Sequence, residues 1–196
     1  MPFIIGLTGS IGMGKSTTAQ MFVALGIPVW DADAAVHRMY GPGGAAVEPL
    51  GSLYPAAIVD GAVSRDRLKD WIRSEPTALT QIEAIVHPLV TKDRQRFLDG
   101  ADAPMVLVDV PLLFETEVQN RVDHVVVVSA PFDVQKARVL ARPGMTEERF
   151  TYILSQQMPD VEKRARADTV IETTGLDDTR AQVESLLAKL RSKLDA

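Results

Sequence analysis

A glycine-rich run near the N-terminus constrains the fold more than any other feature of the chain. Gly9 to Ser16 reads GSIGMGKS and fits the pattern G-x-x-x-x-G-K-[ST]. The run follows a short apolar stretch that begins at Phe3, and it precedes a segment with apolar residues at helical spacing up to Gly26. Glycines let a backbone turn tightly and point N–H groups at phosphate oxygens, and a helix N-terminus adds a positive dipole. The pattern therefore predicts a strand, a phosphate-binding loop and a helix.

The residues of this loop have separate predicted roles toward ATP. Lys15 is expected to reach the β- and γ-phosphates, and the Ser16 hydroxyl to ligate Mg²⁺. Asp109 ends an apolar stretch, which predicts a second Mg²⁺ ligand, direct or through water, with a solvated strand-end carboxylate as the alternative. The residues expected to bind the nucleotide here are Gly9, Gly12, Met13, Gly14, Lys15, Ser16 and Thr17.

Strands alternate with helices along the chain, which predicts a doubly wound parallel α/β sheet of five strands, of the P-loop NTPase type. The predicted strands are Phe3–Leu7, Pro28–Trp30, Met105–Asp109, Val125–Val128 and Thr169–Ile171. We expect one domain with its core at about 1–33, 100–138 and 160–196. Residues from about 34 to 99 read as mostly helical and too long for one crossover, so they predict a helical insertion beside the sheet. Residues 139–159 predict a small lid.

The composition of the chain limits the classes of binding partner and the compartment that we expect. The formal net charge of −5 argues against a general nucleic-acid binder, although an anionic ligand feels only the local field. The absence of cysteine excludes disulfides and thiolate metal sites. No stretch approaches the roughly 20 apolar residues of a membrane span, and no signal peptide is evident. We expect a cytoplasmic protein, monomeric or weakly homo-oligomeric, with neither a membrane nor a nucleic acid as partner.

Other nucleotide-binding classes fit poorly. The stretch that begins at Asp109 lacks the glycine of the D-x-x-G motif of switch GTPases. The run from Asn120 to Asp123 has the wrong second residue for N-K-x-D and precedes a strand. The chain is also short for a mechanical ATPase. Small-metabolite kinases remain, with a non-catalytic nucleotide-binding regulator as the alternative of another class.

Seven motifs, in order along nearly the whole chain, resemble the dephospho-CoA kinase family. They are GLTGSIGMGKS at 6–16, DAD at 31–33, His87-Pro88, DVPLLFE at 109–115, Gln135-x-x-Arg138-x-x-x-Arg142, Gln157 and AD-x-VI at 167–171. The resemblance implies that ATP phosphorylates the ribose 3′-hydroxyl of dephospho-CoA. There are two departures: the family commonly has serine at the position of Met13, and it often has an asparagine shortly before Gly175, where this chain has Thr173-Thr174.

The resemblance also implies that the helical insertion at about 34–99 binds the acceptor, and it implies roles for single residues there and after Asp109. Asp33, just past the second strand, is expected to be the base or orienter of the hydroxyl, with Asp31 as the alternative and helix capping as the competing role of both. His87 is expected to contact the acceptor, or else to be structural. Leu112 and Phe114 are expected to line the pantetheine or ribose site, or else to pack in the core.

Four further positions complete the predicted site. Arg138 and Arg142 are four residues apart and are expected to share a helix face and neutralise γ-phosphate charge, with two surface arginines as the alternative. Glu115 is expected to orient an arginine or substrate hydroxyls, or else to be solvated. Backbone contacts with the nucleotide are expected near Gly175.

Overall fold

The computed structural model describes residues 1–195, and the chain divides into two compact units. The first unit combines Met1–Trp30 with the chain from Ala101 onward, and the second is Asp31–Gly100. The first carries the phosphate-binding loop, and the second carries Asp31, Asp33 and His87.

The first unit is built on a parallel sheet. Its strands are β1 (Phe3–Thr8), β2 (Val29–Asp31), β5 (Met105–Asp109), β6 (His124–Ser129) and β7 (Thr169–Glu172), in the order β2-β5-β1-β6-β7. β1 pairs in parallel with β5 and β6, and β6 pairs in parallel with β7. The predicted five-stranded doubly wound sheet is therefore confirmed. The register sets Leu7 beside Asp109, so the end of β5 lies next to the start of the loop.

Helices cover this sheet. They are α1 (Lys15–Ala24), α6 (Phe132–Leu140), α7 (Glu147–Ser155), α8 (Asp160–Ala165) and α9 (Leu176–Leu194). α9 turns Val183, Leu186, Leu187 and Leu190 into a core that also holds Ile5, Leu7 and Phe22. Two predicted helix bounds were wrong here. The sequence pattern predicts one helix from Glu147 to Met158, but α7 ends at Ser155 and α8 follows Pro159. The pattern also predicts a closing helix from Ala181 to Leu194, but α9 begins five residues earlier, because Gly175 caps it and acidic residues occupy its first turn.

The second unit is mainly helical, with one hairpin. Its helices are α2 (Ala32–Tyr40), α3 (Val47–Leu53), α4 (Arg65–Ser74) and α5 (Ala78–Asp99). Strands β3 (Ile58–Val59) and β4 (Ala62–Val63) pair antiparallel across Asp60-Gly61, whose φ angles of 50° and 74° fit a tight hairpin turn. The sequence analysis missed this hairpin, because each strand is two residues long and shows no alternation.

α5 runs without a break through Pro88. A proline disfavours the helical conformation of the residue before it, so the sequence predicts that a helical stretch ends at His87, and this prediction was wrong. Proline removes one backbone hydrogen bond, at a cost of about 3 kcal/mol in a helix interior. Burial of Ala78, Ile82, Val86 and Arg94 along one side of the 22-residue helix keeps it continuous.

Candidate active site

The phosphate-binding loop owes its shape to two glycines. Gly12 and Gly14 have φ angles of 80° and 86°, in the left-handed region that other residues rarely adopt. Gly14 is also the N-cap of α1, and it offers no side chain to the first-turn amides of that helix. These amides have no partner within the helix. The loop therefore places backbone donors at the N-terminus of α1, and their binding of an anion stays a prediction.

Met13 holds the loop to the sheet. Its side chain is buried, and its sulfur accepts a hydrogen bond from the Ala130 amide at 3.1 Å. Its carbonyl accepts one from the Thr173 hydroxyl at 2.8 Å. Because a thioether sulfur is itself an acceptor, methionine at this position gives the Ala130 amide a partner.

Lys15 and Asp109 form an ion pair at the mouth of the loop. The Lys15 Nζ lies 2.5 Å from the Asp109 Oδ1, and their side chains are 14% and 2% exposed. Ser16 is exposed on the first turn of α1. One hydroxyl and one carboxylate beside a phosphate-binding loop suit Mg²⁺, which protein sites commonly bind through one or two carboxylates, substrate phosphates and water.

A cavity of about 320 Å³ opens beside the loop. Its walls come from the loop, the end of α6, and the segment that joins β7 to α9. The lining residues are Gly12, Gly14, Thr17, Thr18, Arg138, Arg142, Thr173, Thr174, Gly175, Leu176 and Thr179. The predicted nucleotide contacts at Gly12, Gly14, Thr17 and Gly175 therefore surround one space.

Both predicted arginines line this cavity, but they do not share a helix face. α6 ends at Leu140, so Arg142 lies beyond it, because Ala141 already caps the helix. The Arg138 guanidinium donates to the Thr173 hydroxyl at 3.1 Å and to the Thr173 carbonyl at 2.5 Å. Arg142 is exposed. The structure thus orients Arg138 and leaves Arg142 facing solvent.

Thr173 is a site residue that the sequence analysis did not single out. It is 5% exposed and joins Arg138 to the Met13 carbonyl through one hydroxyl. Its only sequence signal is its position directly after β7, at the same sheet edge as the loop.

The side chains of the run after Asp109 differ in exposure and in partners. Phe114 is 5% exposed and packs in the interior, whereas Leu112 is 40% exposed. Glu115 accepts hydrogen bonds from the Met158 amide at 2.8 Å and pairs with the fully buried Lys163 at 2.9 Å. Burial raises the pKa of Glu115, but these bonds outweigh it and hold that pKa below its ordinary value. The partner of Glu115 in the structure is a lysine, and not one of the predicted arginines.

The second unit carries three residues with predicted roles toward the acceptor: Asp31, Asp33 and His87. The Asp31 Oδ1 accepts from the Ala34 amide at 2.9 Å and caps α2. Asp33 is exposed on the first turn of α2, and His87 is exposed in the middle of α5. The capping role weighed for Asp31 is therefore present, and the roles of Asp33 and His87 toward an acceptor stay predictions. Among the helices of residues 1–195, none has the length and apolar character that crossing a bilayer requires.

The sheet, the loop at the N-terminus of α1 and the Lys15–Asp109 pair define the P-loop kinase fold. The family model for dephospho-CoA kinase matches residues 3–178. Dephospho-CoA kinase from Cereibacter sphaeroides is 56% identical over 100% of this chain and 99% of its own length. That from Ruegeria pomeroyi is 57% identical over 98% of each. The chain belongs to the dephospho-CoA kinase family.

Solved structures agree on the fold. The crystal structure of TT1252 from Thermus thermophilus has a TM-score of 0.86 and 38% identity, and the match covers 96% of this chain and 98% of that one. Dephospho-CoA kinase from Campylobacter jejuni has a TM-score of 0.71 at 22% identity, over 97% and 98% of the two chains. The latter likeness speaks for the fold alone.

Proposed function

We propose that this chain transfers the γ-phosphoryl group of ATP to the ribose 3′-hydroxyl of dephospho-CoA, giving CoA and ADP in the last step of coenzyme A biosynthesis. The observation that carries the proposal is the loop with left-handed Gly12 and Gly14 beside the Lys15–Asp109 pair, in a chain that the family model matches over residues 3–178.

On the nucleotide side, the chain contributes position and positive charge. The amides from Gly12 to Thr17 surround the phosphates, and Lys15 leaves Asp109 to contact the β- and γ-phosphates. Arg138 and Arg142 offset the charge that develops on the transferred group. Ser16 and Asp109 would hold Mg²⁺, which when bound neutralises β- and γ-phosphate oxygens.

On the acceptor side, Asp33 accepts the proton of the 3′-hydroxyl as its oxygen bonds to the γ-phosphorus and the bond to ADP breaks. Asp31 caps the helix that carries Asp33 and supports it from there. His87 and the exposed Leu112 contact the acceptor. Phe114 and Glu115 support the acceptor site without contacting the acceptor, because Phe114 is buried and Glu115 is held by Lys163.

A coupled assay for ADP, with product identified as CoA, tests the activity, and Lys15→Ala is the inactive control. A panel of other acceptors tests the nearest alternative: a better acceptor than dephospho-CoA would make the chain a different metabolite kinase. Tight binding of ATP with no turnover for any acceptor would make it a regulator.

Asp33→Asn tests the proposed base. We expect kcat to fall by about 10²- to 10⁴-fold while the Kd for Mg·ATP is unchanged. Asp102→Asn, which alters an exposed carboxylate outside the site, is the matched control. Near-normal kcat in Asp33→Asn would remove Asp33 from the mechanism.

The cytoplasmic location and the monomeric or weakly oligomeric state stay predictions from the sequence.

A further inference from the structure

Two glutamine side chains hold the backbone of Ile11, in the middle of the phosphate-binding loop. The Gln135 Nε2 donates to the Ile11 carbonyl at 2.8 Å. The Ile11 amide donates to the Gln157 Oε1 at 3.0 Å. One glutamine comes from α6 and the other from the segment between α7 and α8, so the two reach the same residue from separate parts of the chain.

These bonds fix two peptide planes. In a trans peptide the carbonyl and the N–H point in opposite directions. With its amide on Gln157, the Ser10–Ile11 peptide turns the Ser10 carbonyl to the other side, where it accepts from the Met13 amide at 3.1 Å. With its carbonyl on Gln135, the Ile11–Gly12 peptide turns the Gly12 amide away from Gln135. Gly12 lines the nucleotide cavity.

Both glutamines are themselves held in place. Gln135 is 3% exposed. Its backbone also lies close to the loop, because a Cβ on Gly12 would be 3.0 Å from the Gln135 carbonyl oxygen. Gln157 precedes Met158, whose amide binds Glu115 at 2.8 Å. A side chain that is packed or tethered in this way keeps its bond to the loop at little further entropic cost.

We propose that Gln135 and Gln157 are positioning residues: they lock the peptide planes on either side of Ile11 so that the Gly12 N–H faces a phosphate of the bound nucleotide. The proposal rests on the proposed function, because it assumes that ATP binds at this loop. Neither residue touches the reacting atoms. Their effect reaches the nucleotide only through the direction of one backbone donor.

The test compares Gln135→Met and Gln157→Met, which keep side-chain length and lose the amide, with Gln156→Met, an exposed neighbour that serves as the control. Kd for Mg·ADP is measured by calorimetry, and KM for ATP, KM for dephospho-CoA and kcat by the coupled assay. We expect Kd and the KM for ATP to rise about tenfold in both variants, as for one weakened hydrogen bond to a charged group, with the KM for dephospho-CoA unchanged. Gln157→Glu keeps the acceptor and is expected to lie nearer the unmodified chain than Gln157→Met.

A second measurement separates positioning from stability. In ¹⁵N-labelled protein, the Gly12 amide signal is expected to shift when Mg·ADP is added, and this response is expected to shrink in Gln135→Met. Variants that unfold more easily but keep the Kd for Mg·ADP and the Gly12 response would overturn the proposal. If the unmodified chain binds Mg·ADP but does not phosphorylate dephospho-CoA, the proposed function fails, and the binding and Gly12 measurements still decide the role of the glutamines.

Discussion

Lys163 is a fully buried cation, and its replacement tests how the site is braced. Its Nζ lies 2.9 Å from the Glu115 Oε1 and 3.3 Å from the Pro111 carbonyl. Because Pro111 and Glu115 both lie within six residues after Asp109, this one side chain ties α8 to the run after β5. Lys163→Met keeps most of the aliphatic stem and removes the ammonium group.

The expected loss follows from what each partner keeps. Glu115 retains the bond from the Met158 amide, and its side chain is 20% exposed, so water replaces part of the pair. Removing one partner of a fully buried pair costs about 3–5 kcal/mol, and a charge-assisted hydrogen bond contributes about 1.5–3 kcal/mol. Methionine also avoids the desolvation of an ammonium group. We therefore expect Lys163→Met to lower the free energy of unfolding by about 2 kcal/mol at pH 7.

This loss is expected to depend on pH. The pKa of Glu115 is lowered in the folded chain, so its stabilising contribution is present above the unfolded-state value and is lost as pH falls through the folded-state value. The unmodified chain and Lys163→Met should therefore differ at pH 7 and converge as the pH falls through the lowered folded-state pKa of Glu115. Urea unfolding followed by circular dichroism measures both.

The matched control is Lys69→Met, which removes a lysine from an exposed pair with Asp66 at 3.0 Å. Exposed pairs contribute little, so we expect the free energy of unfolding to stay unchanged within error. The double variant Lys163→Met/Glu115→Gln should show a coupling of at least about 1 kcal/mol. A pH-independent loss, or no coupling, would refute the ion pair as the source of the stability.

Two further predictions concern the loop. Gly12→Ala places a Cβ 2.5 Å from a methyl group of Val139, at a residue whose φ angle is 80°. Calorimetry should therefore show that Mg·ATP binds at least about tenfold more weakly, and unchanged binding would contradict a rigid loop. Met13→Leu removes the sulfur that accepts a hydrogen bond from the buried Ala130 amide. The free energy of unfolding, measured in urea, should therefore fall by about 1 kcal/mol. An unchanged value would mean that this amide finds another partner.

The parts of the structure that the sequence predicted are those written in contiguous residues. The loop depends on glycines at fixed spacing and on backbone donors, so its motif contains nearly all of its geometry. The strands of a covered parallel sheet are apolar on both faces and stand out as short runs. The ends of these strands then place Asp109 beside the loop by register alone.

The parts that were missed depend on distant partners or on small energy differences. Lys163 looks like an ordinary surface lysine until Glu115 is brought to it, and Thr173 gains its role only when Arg138 and the Met13 carbonyl meet its hydroxyl. Pro88 predicts a helix end by local rules, but burial along α5 outweighs one missing hydrogen bond. Such outcomes need the tertiary contacts and not only the local pattern.

The way Arg138 is held supports the proposal that this acidic chain binds a triphosphate. The formal net charge is −5, and the nearest cation of the loop, Lys15, is already paired with Asp109. Arg138 is different, because both of its hydrogen bonds go to neutral oxygens of Thr173. They orient the guanidinium without offsetting its charge. Arg138, the exposed Arg142 and the N-terminus of α1 bring positive charge to this cavity, so we expect it to favour a phosphate ligand although the whole chain is acidic.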